Sequence, residues 1–390
     1  MIIVIETIMA GLTHEIFNAG MLYQLRIAFP NEKIIYFCEE NQGKFVKRIL
    51  DTQGCTNNIQ YSYINRTYME CNEENIRCNK NEYINIFKEW KHIKFVIVLS
   101  MQAINSGLLK NLIRRFSTLK FAICIHGNIE NILPQNKPQF KMNNKLIKEI
   151  KDYRQAKWEL EYFIKNLNDM TLFPNCNIIL YSDNYKKYKE YLSTNLYENI
   201  KVLNLPYVFK KDKKLPSFNK KLRIGIMPLT STEKSQNAIK IIKYINKEKD
   251  RIVNPYSFLI FNYYIGTYKN AIYIKKPNRT RKDIEEFLEM CDWILIPYDN
   301  KKYILSSSGI LFDSIEAERP FFALGSPSFY KAIKAGCGIQ ENSIEELGER
   351  IIQQINNKNL DYKWYYNNIK NYKKRVEKEN IEGIIKILGE

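Results

Sequence analysis

The sequence lacks the short motifs that identify several common kinds of site. It contains no Gly-x-Gly-x-x-Gly, Walker A or His-Glu-x-x-His motif, so neither a P-loop nor a zinc-protease helix is indicated. Its eight cysteines form no Cys-x-x-Cys pair and have no cluster of histidines near them, which leaves zinc and thioredoxin-type sites without support. No Asp-x-Asp pair ends an apolar run. We therefore expect neither a metal ion nor a cofactor.

Long apolar runs are absent too, and none reaches the roughly 18 residues that cross a bilayer. The apolar start of the chain, residues 1–6, has neither the basic region nor the small-residue cleavage site of a signal peptide. Cys38, Cys124 and Cys291 lie in or beside apolar runs, where free cysteine acts as a small hydrophobic residue. This usage suits a reducing compartment. We expect a cytoplasmic protein, either soluble or in peripheral contact with the inner face of the plasma membrane.

The composition is that of a globular protein, with 45% hydrophobic and 26% charged residues. A chain of 390 residues is too long for one ordinary core, so two domains are expected. The net charge of +18 has two explanations. Lys, Asn, Ile and Tyr share AT-rich codons, and their abundance is typical of an AT-rich genome. The other explanation is an anionic partner such as a phosphate-bearing ligand or membrane.

Short apolar runs alternate with helical patterns along most of the chain, which predicts βαβ units and buried parallel sheets. The basic, patternless stretch 206–220 predicts a linker between a Rossmann-like domain over 1–205 and a second over 221–360. A last helix within 361–390 is expected to pack back on the first domain, and the polar stretch 65–80 is predicted to be a loop. The predicted strands lie at 2–5, 33–38, 59–64, 94–100, 121–125, 177–181, 201–205, 222–227, 256–261, 271–274, 293–297 and 321–324.

Ligands of parallel α/β sheets bind beyond the carboxyl ends of the strands, and one such region is rich in small polar residues. A strand ends at Pro297, and a helix then opens with Ser306, Ser307, Ser308 and Gly309. Serines at a helix start are ordinary N-caps. Free amides beside a glycine and hydroxyl groups also suit a diphosphate. Asp313 lies one turn further along the same face, where its carboxylate can accept hydrogen bonds from ribose hydroxyls.

The stretch 293–325 resembles the C-terminal donor-binding region of GT-B fold glycosyltransferases, those of the glycosyl transferases group 1 and family 4-like superfamily with a Glu-x7-Glu signature. In that group the second acidic residue precedes a Gly-Lys-Pro-like turn and binds the nucleotide ribose. Aligned on Pro320, this residue is Asp313. The first Glu falls at Leu305, which departs from the signature associated with a retaining mechanism. By layout the resemblance covers nearly the whole chain, and it implies two Rossmann-like domains facing a cleft.

The resemblance also implies a phosphate-binding role for the first loop of the second domain. Lys234 is the matching basic residue, with Thr230 and Ser231 as hydroxyl donors, although a helix cap and a solvated lysine would look the same in sequence. Tyr298, directly after the strand end, is assigned to the same donor site. The stretch 275–281 either edges a base pocket or is a solvated basic turn.

The chain has only three histidines, and two of them follow predicted strands. His14 and His126 are the candidate catalytic residues, because imidazole titrates near neutrality and can take a proton from an acceptor hydroxyl. His126 could instead bind sugar or phosphate. His92 precedes a strand and lies at the opposite edge. Two carboxylates, Glu6 and Glu15, compete for the role of base.

Three functions remain open from the sequence. The first is a glycosyltransferase that uses a nucleotide-sugar donor, without a metal, on a glycan or lipid-linked acceptor in bacterial surface polysaccharide or glycoconjugate synthesis. The second is a nucleotide-sugar epimerase of the same fold, and the third is a basic nucleic-acid-binding or scaffold protein. No aromatic RNA-binding signature is present, so no nucleic-acid partner is expected. The basic helix 107–117, with Arg114 and Arg115, either faces water or contacts anionic lipid.

Overall fold

The computed structural model describes residues 1–64, 71–137, 146–209, 221–227, 232–276, 280–298, 303–357 and 361–389. The chain divides into two compact units. The N-terminal unit comprises Met1–Val208, Leu305–Ser307 and Glu377–Glu390. The C-terminal unit comprises Phe209–Ile304 and Ser308–Val376. Most of the predicted linker, residues 210–220, lies outside the described residues.

The N-terminal unit is built on a seven-stranded parallel sheet with the order β3-β2-β1-β4-β5-β6-β7. Its central strand β1 buries all four of its residues, as expected for a parallel sheet covered on both faces. The strands are β1 (Ile2–Ile5), β2 (Ile34–Glu39), β3 (Ile59–Ile64), β4 (Phe95–Val98), β5 (Lys120–Ile125), β6 (Cys176–Leu180) and β7 (Ile200–Val202).

Helices connect these strands. Their bounds are α1 (Glu15–Ala28), α2 (Glu40–Asp51), α3 (Glu73–Glu89), α4 (Ala103–Arg115), α5 (Leu146–Met170) and α6 (Thr194–Asn199). The predicted loop over 65–80 is wrong from residue 73 onward. Asn72 caps α3 by accepting a hydrogen bond from the amide of Asn75, so a polar sequence there begins a helix. Residues 65–70 lie outside the described part of the chain.

The C-terminal unit has a six-stranded parallel sheet with the order β10-β9-β8-β11-β12-β13. The strands are β8 (Leu222–Ile226), β9 (Tyr256–Phe261), β10 (Ala271–Ile274), β11 (Trp293–Ile296), β12 (Phe321–Leu324) and β13 (Gly338–Glu341). The helices are α7 (Thr232–Lys247), α8 (Arg281–Met290), α9 (Gly309–Glu316), α10 (Tyr330–Lys334), α11 (Ile344–Asn356) and α12 (Tyr362–Gly389). Sequence reasoning missed β13, because Gly-Ile-Gln-Glu at a half-buried sheet edge carries a single large apolar residue.

The last turns of α12 belong to the N-terminal unit. There the side-chain amide of Asn380 donates to Gln24 Oε1 at 3.2 Å and to the carbonyl of Asn204 at 3.0 Å, and its oxygen accepts from the Asn204 amide at 2.8 Å. Asn380 is fully buried. A buried side-chain amide that makes three hydrogen bonds holds the end of the helix in one register against this unit.

Both sheets reverse their strand order at one point, between β1 and β4 in the N-terminal unit and between β8 and β11 in the C-terminal unit. At such a point two neighbouring strands send their connections to opposite faces, which leaves a crevice at their carboxyl ends. The predicted class, α/β with two Rossmann-like domains, is confirmed. All eight cysteines are free thiols. Among the described residues no helix is long and apolar enough to span a membrane.

Candidate active site

Lys234 lies in the first turn of α7, at the reversal point of the C-terminal sheet. Its Nζ stands 4.1 Å from the ring centre of Tyr298 and 5.2 Å from that of Tyr303, and it donates to the Tyr303 hydroxyl at 3.2 Å. The two tyrosine rings stack 4.9 Å apart. Lys234 is only 7% exposed, so it is not a solvated lysine. The aromatic faces stabilise its charge and hold one cation beside the ends of β8 and β11.

Helix α9 begins at Gly309 without a side-chain cap. Ser308 has the extended backbone of an N-cap residue, but its hydroxyl accepts no hydrogen bond from the first turn. A Cβ atom at Gly309 would meet nothing within 4 Å, which shows open space around this helix end. The Ser308 hydroxyl therefore does not cap this helix. The uncapped amides and the helix dipole make this end favourable for an anion.

Ser306 has a different partner from the one predicted. It clusters with the N-terminal unit, where Oε1 of Glu130 accepts from the amides of Leu305 and Ser306 at 2.6 and 2.8 Å and from the Ser306 hydroxyl at 2.8 Å. Three donors therefore converge on one carboxylate oxygen. This segment does bind an anionic group, but the group is the side chain of Glu130 and not a ligand phosphate. The hydroxyl and the amide of Ser306 are thus both occupied by Glu130 in this structure. Ser307 is half-buried.

Asp313 is held by a residue that sequence reasoning placed only in a basic turn. Its carboxylate accepts from Nη1 of Arg281, the first residue of α8, and both side chains are 13% exposed. Nε of Arg281 also contacts Glu285 at 3.2 Å. Arg281 is therefore not a solvated part of the turn. The guanidinium therefore fixes the orientation of the Asp313 carboxylate.

A cavity of about 510 Å³ opens at the carboxyl ends of β9 and β10. Its aromatic lining comes from Tyr263, Tyr264 and Tyr273, and Lys275 supplies a charge. Asn262 closes one side, because its side chain bonds both the amide and the carbonyl of Lys276, at 2.6 and 2.7 Å. Only the lysine-containing edge of this cavity was foreseen from the sequence. Thr230 and Ser231 lie outside the described residues.

His14 and His126 come together in the N-terminal unit, with ring centres 4.6 Å apart. Phe17 packs edge-on against both rings, and Tyr181 lies 5.2 Å from His126. His14 has a left-handed backbone with φ of 62°, a conformation that costs a non-glycine residue roughly 1–3 kcal/mol and is found at functional sites. His92 is also left-handed, but it is exposed and precedes β4 at the other end of the sheet.

The protonation of the two rings follows from their surroundings. Nε2 of His126 lies 2.9 Å from the carbonyl of Leu99, so Nε2 carries the hydrogen and Nδ1 keeps a lone pair. Burial, with a smaller effect from His14, lowers the pKa of His126 well below its ordinary value. Burial also lowers the pKa of His14 to about 4. Both rings are neutral at pH 7, and His14 Nδ1 has no hydrogen-bond partner within the described chain.

The competing carboxylates are not presented to a substrate. Glu6 is fully buried, and its oxygens accept from the amides of Ile8 and Met9 and from the Ser100 hydroxyl, at 2.9, 3.1 and 2.6 Å. Glu15 is 7% exposed. Glu6 therefore braces the loop between β1 and His14. Burial raises the pKa of Glu6 to about 7, against the lowering effect of these hydrogen bonds.

This pKa predicts a pH-dependent stability. In the unfolded chain Glu6 loses its proton near pH 4.5, whereas the folded protein keeps it to about pH 7. The folded state binds more protons in that window, so its stability falls as the pH rises through it. Glu6→Gln keeps the acceptor and removes the ionisation. We expect the variant to gain about 3 kcal/mol in free energy of unfolding relative to wild type from the lower to the upper end of the window. Urea unfolding at both ends measures this difference, and a constant difference would refute the shifted pKa.

The basic face of α4 is exposed at Arg114 and Arg115, while Leu112 and Ile113 are buried. Within the described ranges, no group of three or more His, Cys, Asp or Glu side chains could hold a metal ion.

Comparisons with known proteins bear on the fold. No protein-family model matches the sequence, and no curated protein is significantly similar to it. Similar solved structures include TarM from S. aureus with UDP, α-GlcNAc-glycerol and fondaparinux (TM-score 0.64, 11% identity, 100% of both chains). HepE from Anabaena with UDP-glucose has a TM-score of 0.61 at 10% identity, over 100% of this chain and 98% of the other. WaaG, a glycosyltransferase of lipopolysaccharide biosynthesis, has a TM-score of 0.59 at 11% identity over 100% of both. The chain has the GT-B fold, as the resemblance implied.

Proposed function

We propose that this protein is a glycosyltransferase that moves a sugar from a nucleotide-sugar donor to a glycan or lipid-linked acceptor. The observation that carries the proposal is the buried cation of Lys234, held against Tyr298 and Tyr303 at the reversal point of the C-terminal sheet. A lysine ammonium at the carboxyl ends of parallel strands is a suitable contact for a phosphate group. The GT-B structures of TarM and HepE were solved with UDP and UDP-glucose, which are ligands of the required kind.

The proposed donor site lies in the C-terminal unit. Lys234 and the uncapped start of α9 at Ser308 and Gly309 bind the diphosphate. Asp313, oriented by Arg281, binds the ribose. The base enters the tyrosine-lined cavity at β9 and β10. Thr230, Ser231, Ser306 and Ser307 remain predicted phosphate contacts, and Ser306 would have to leave Glu130 to make one.

The reaction is a substitution at the anomeric carbon. A bond forms from the acceptor hydroxyl oxygen to that carbon, while the bond from the carbon to the phosphate oxygen breaks. The nucleoside diphosphate leaves with the electron pair, and Lys234 and the dipole of α9 stabilise its charge without a metal ion. The hydroxyl proton passes to a neutral histidine, either His14 or His126.

The acceptor belongs to the N-terminal unit, where the two histidines lie. A glycan or glycolipid of the bacterial surface fits the roles of the structurally similar WaaG in lipopolysaccharide biosynthesis. The exposed arginines of α4 are the candidate contact with an anionic membrane, each contributing about 1 kcal/mol near the lipid surface.

A thermal-shift screen with UDP, GDP, CMP and dTDP tests the donor site. One nucleotide at a hundred times its Kd should stabilise the protein by about 2.7 kcal/mol. Asp313→Asn, which keeps the size of the side chain, should lose most of this stabilisation. Asp361→Ala removes an exposed carboxylate of the same unit and should keep it. Stabilisation by no nucleotide, or an equal shift in Asp313→Asn, would contradict the proposal. Product formation that requires an added acceptor separates a transferase from an epimerase.

A further inference from the structure

Two adjoining cavities open in the N-terminal unit. Their volumes are about 380 and 800 Å³, and they share Cys71 and Glu159 in their lining. One wall is formed by the start of α4 after β4, another by the residues after β5, and a third by α5. Asn128, in the wall after β5, lies two residues beyond His126. The two cavities together, called the α5 groove below, thus lie at the same strand ends as the histidine pair.

Amide side chains dominate the polar lining of the α5 groove. The six are Asn72, Gln102, Asn128, Asn131, Asn136 and Gln155. Asn128, Asn136 and Gln155 each donate to a backbone carbonyl, at 3.4, 3.2 and 3.1 Å. Within the described chain, their side-chain oxygens accept no hydrogen bond, and the Asn131 side chain makes none. The amides therefore keep acceptors for hydroxyl groups of a ligand.

The described residues that line the α5 groove carry no positive charge. The chain carries 60 Lys and Arg among 390 residues, yet none is among the described residues that line the two cavities. Glu73 and Glu159 are the charged side chains of the described lining. Among these described residues, a phosphate, sulfate or carboxylate would find no cation to pair with and would be repelled by two carboxylates. The lining disfavours an anionic ligand and favours a neutral one with many hydroxyls.

Trp158 adds a flat apolar surface. Its side chain lines the larger cavity and is 44% exposed. It stacks on Tyr162 with ring centres 5.3 Å apart and planes 15° apart, and this contact orients the indole. A large exposed aromatic beside uncharged hydrogen-bonding groups is the combination that recognises a sugar ring, because the ring offers an apolar C–H face and polar edges.

We propose that the α5 groove binds a neutral oligosaccharide, with one sugar ring on Trp158 and hydroxyl groups on the amides. If the proposed glycosyltransferase activity holds, this oligosaccharide is the acceptor chain, and its growing end extends past Asn128 toward His126. The substrate class is then an uncharged glycan rather than a phosphorylated or uronic-acid-rich one.

The experiment compares binding of the full-length protein to an array of neutral hexose and N-acetylhexosamine oligosaccharides with binding to heparin-derived anionic oligosaccharides. The variants are Trp158→Ala and, as the matched control, Trp364→Ala, whose indole is 56% exposed in the C-terminal unit. We expect a neutral oligosaccharide to bind, Trp158→Ala to lose about tenfold in affinity, and Trp364→Ala to lose none. Asn131→Ala, an exposed position that carries no folding risk, should lose about threefold.

Several outcomes overturn the proposal: no neutral oligosaccharide binds, anionic ones bind better, or binding survives both Trp158→Ala and Asn131→Ala unchanged. The nucleotide thermal-shift screen on the same preparations separates this result from the proposed function. If a nucleotide stabilises the protein but no glycan binds, the proposed role of the α5 groove is refuted and the proposed glycosyltransferase activity is not. Glycan binding without any nucleotide stabilisation supports the groove and refutes the glycosyltransferase.

Discussion

Replacing Lys234 with methionine is expected to lower kcat by about 10²–10³-fold, because removing one preorganised charge-stabilising group from a transition state has this order of effect. The ammonium group is buried against two tyrosine rings, so its charge acts with little screening by water. Methionine matches the stem of lysine as far as Cε and lacks only the ammonium group, so the packing of the stem is largely kept. Initial-rate kinetics with the nucleotide sugar found in the thermal-shift screen measures the loss.

Lys243→Met is the matched control, since Lys243 lies on the same helix, α7, but is exposed. It should keep wild-type kinetics. Equal kcat values in the two variants would show that Lys234 does not contact the leaving diphosphate. If Lys234→Met alone has a lower melting temperature, its lower kcat could come from unfolding. Lys234→Arg then distinguishes loss of the charge from loss of the fold. Arginine restores the charge and should recover part of the rate if the charge is what matters.

His126→Asn is expected to lower kcat by about 10²–10⁴-fold and to leave nucleotide affinity unchanged. The ring is neutral and its Nδ1 lone pair is available, while the carbonyl of Leu99 fixes its orientation. Because burial lowers the pKa of His126, and that of His14 to about 4, protonation should not limit the rate between pH 7 and pH 6.5. The rate should fall only at lower pH, where the rings take up a proton and lose the ability to act as a base.

His92→Asn serves as the control for this substitution. His92 is exposed and left-handed, and asparagine tolerates that backbone conformation, so neither fold nor rate should change. Comparing the pH profiles of His14→Asn and His126→Asn shows which ring takes the proton. Only the ring that acts as the base should control the fall in rate at low pH. A rate that falls already at pH 6.5, as for a solvated histidine, would contradict the lowered pKa values of the two rings.

Much of the fold was predictable because parallel strands buried on both faces appear as short apolar runs. β1, β9 and β12 are such runs, and their predicted positions agree with the structure within a residue. β13 was not predicted, because a strand at the edge of a sheet can contain polar residues and then lacks an apolar run. The start of α3 was missed because Asn72 accepts a hydrogen bond from the amide of Asn75 and so caps a helix within a polar stretch. Local chemistry of this kind is visible in the sequence only when the capping residue is recognised.

The candidate site was predictable only in part. The loops after β8 and β11 were identified because ligands bind at strand ends, and this located Lys234, Tyr298 and Gly309. Their partners were not foreseen. Tyr303 lies 69 positions from Lys234 in sequence, and Arg281 lies 32 positions from Asp313. No periodicity links residues so far apart.

By itself the sequence determined the class of fold, the strand ends where a site can form and the residue types available there, because these depend on local propensity and on the period of apolar residues. Only the tertiary structure decided which charges are paired and which donors are taken. It placed Glu130 on the amide of Ser306, Arg281 on Asp313, and the two histidines in ring contact. These contacts arise from packing of elements distant in the chain, and their strength depends on burial, which a linear pattern does not specify.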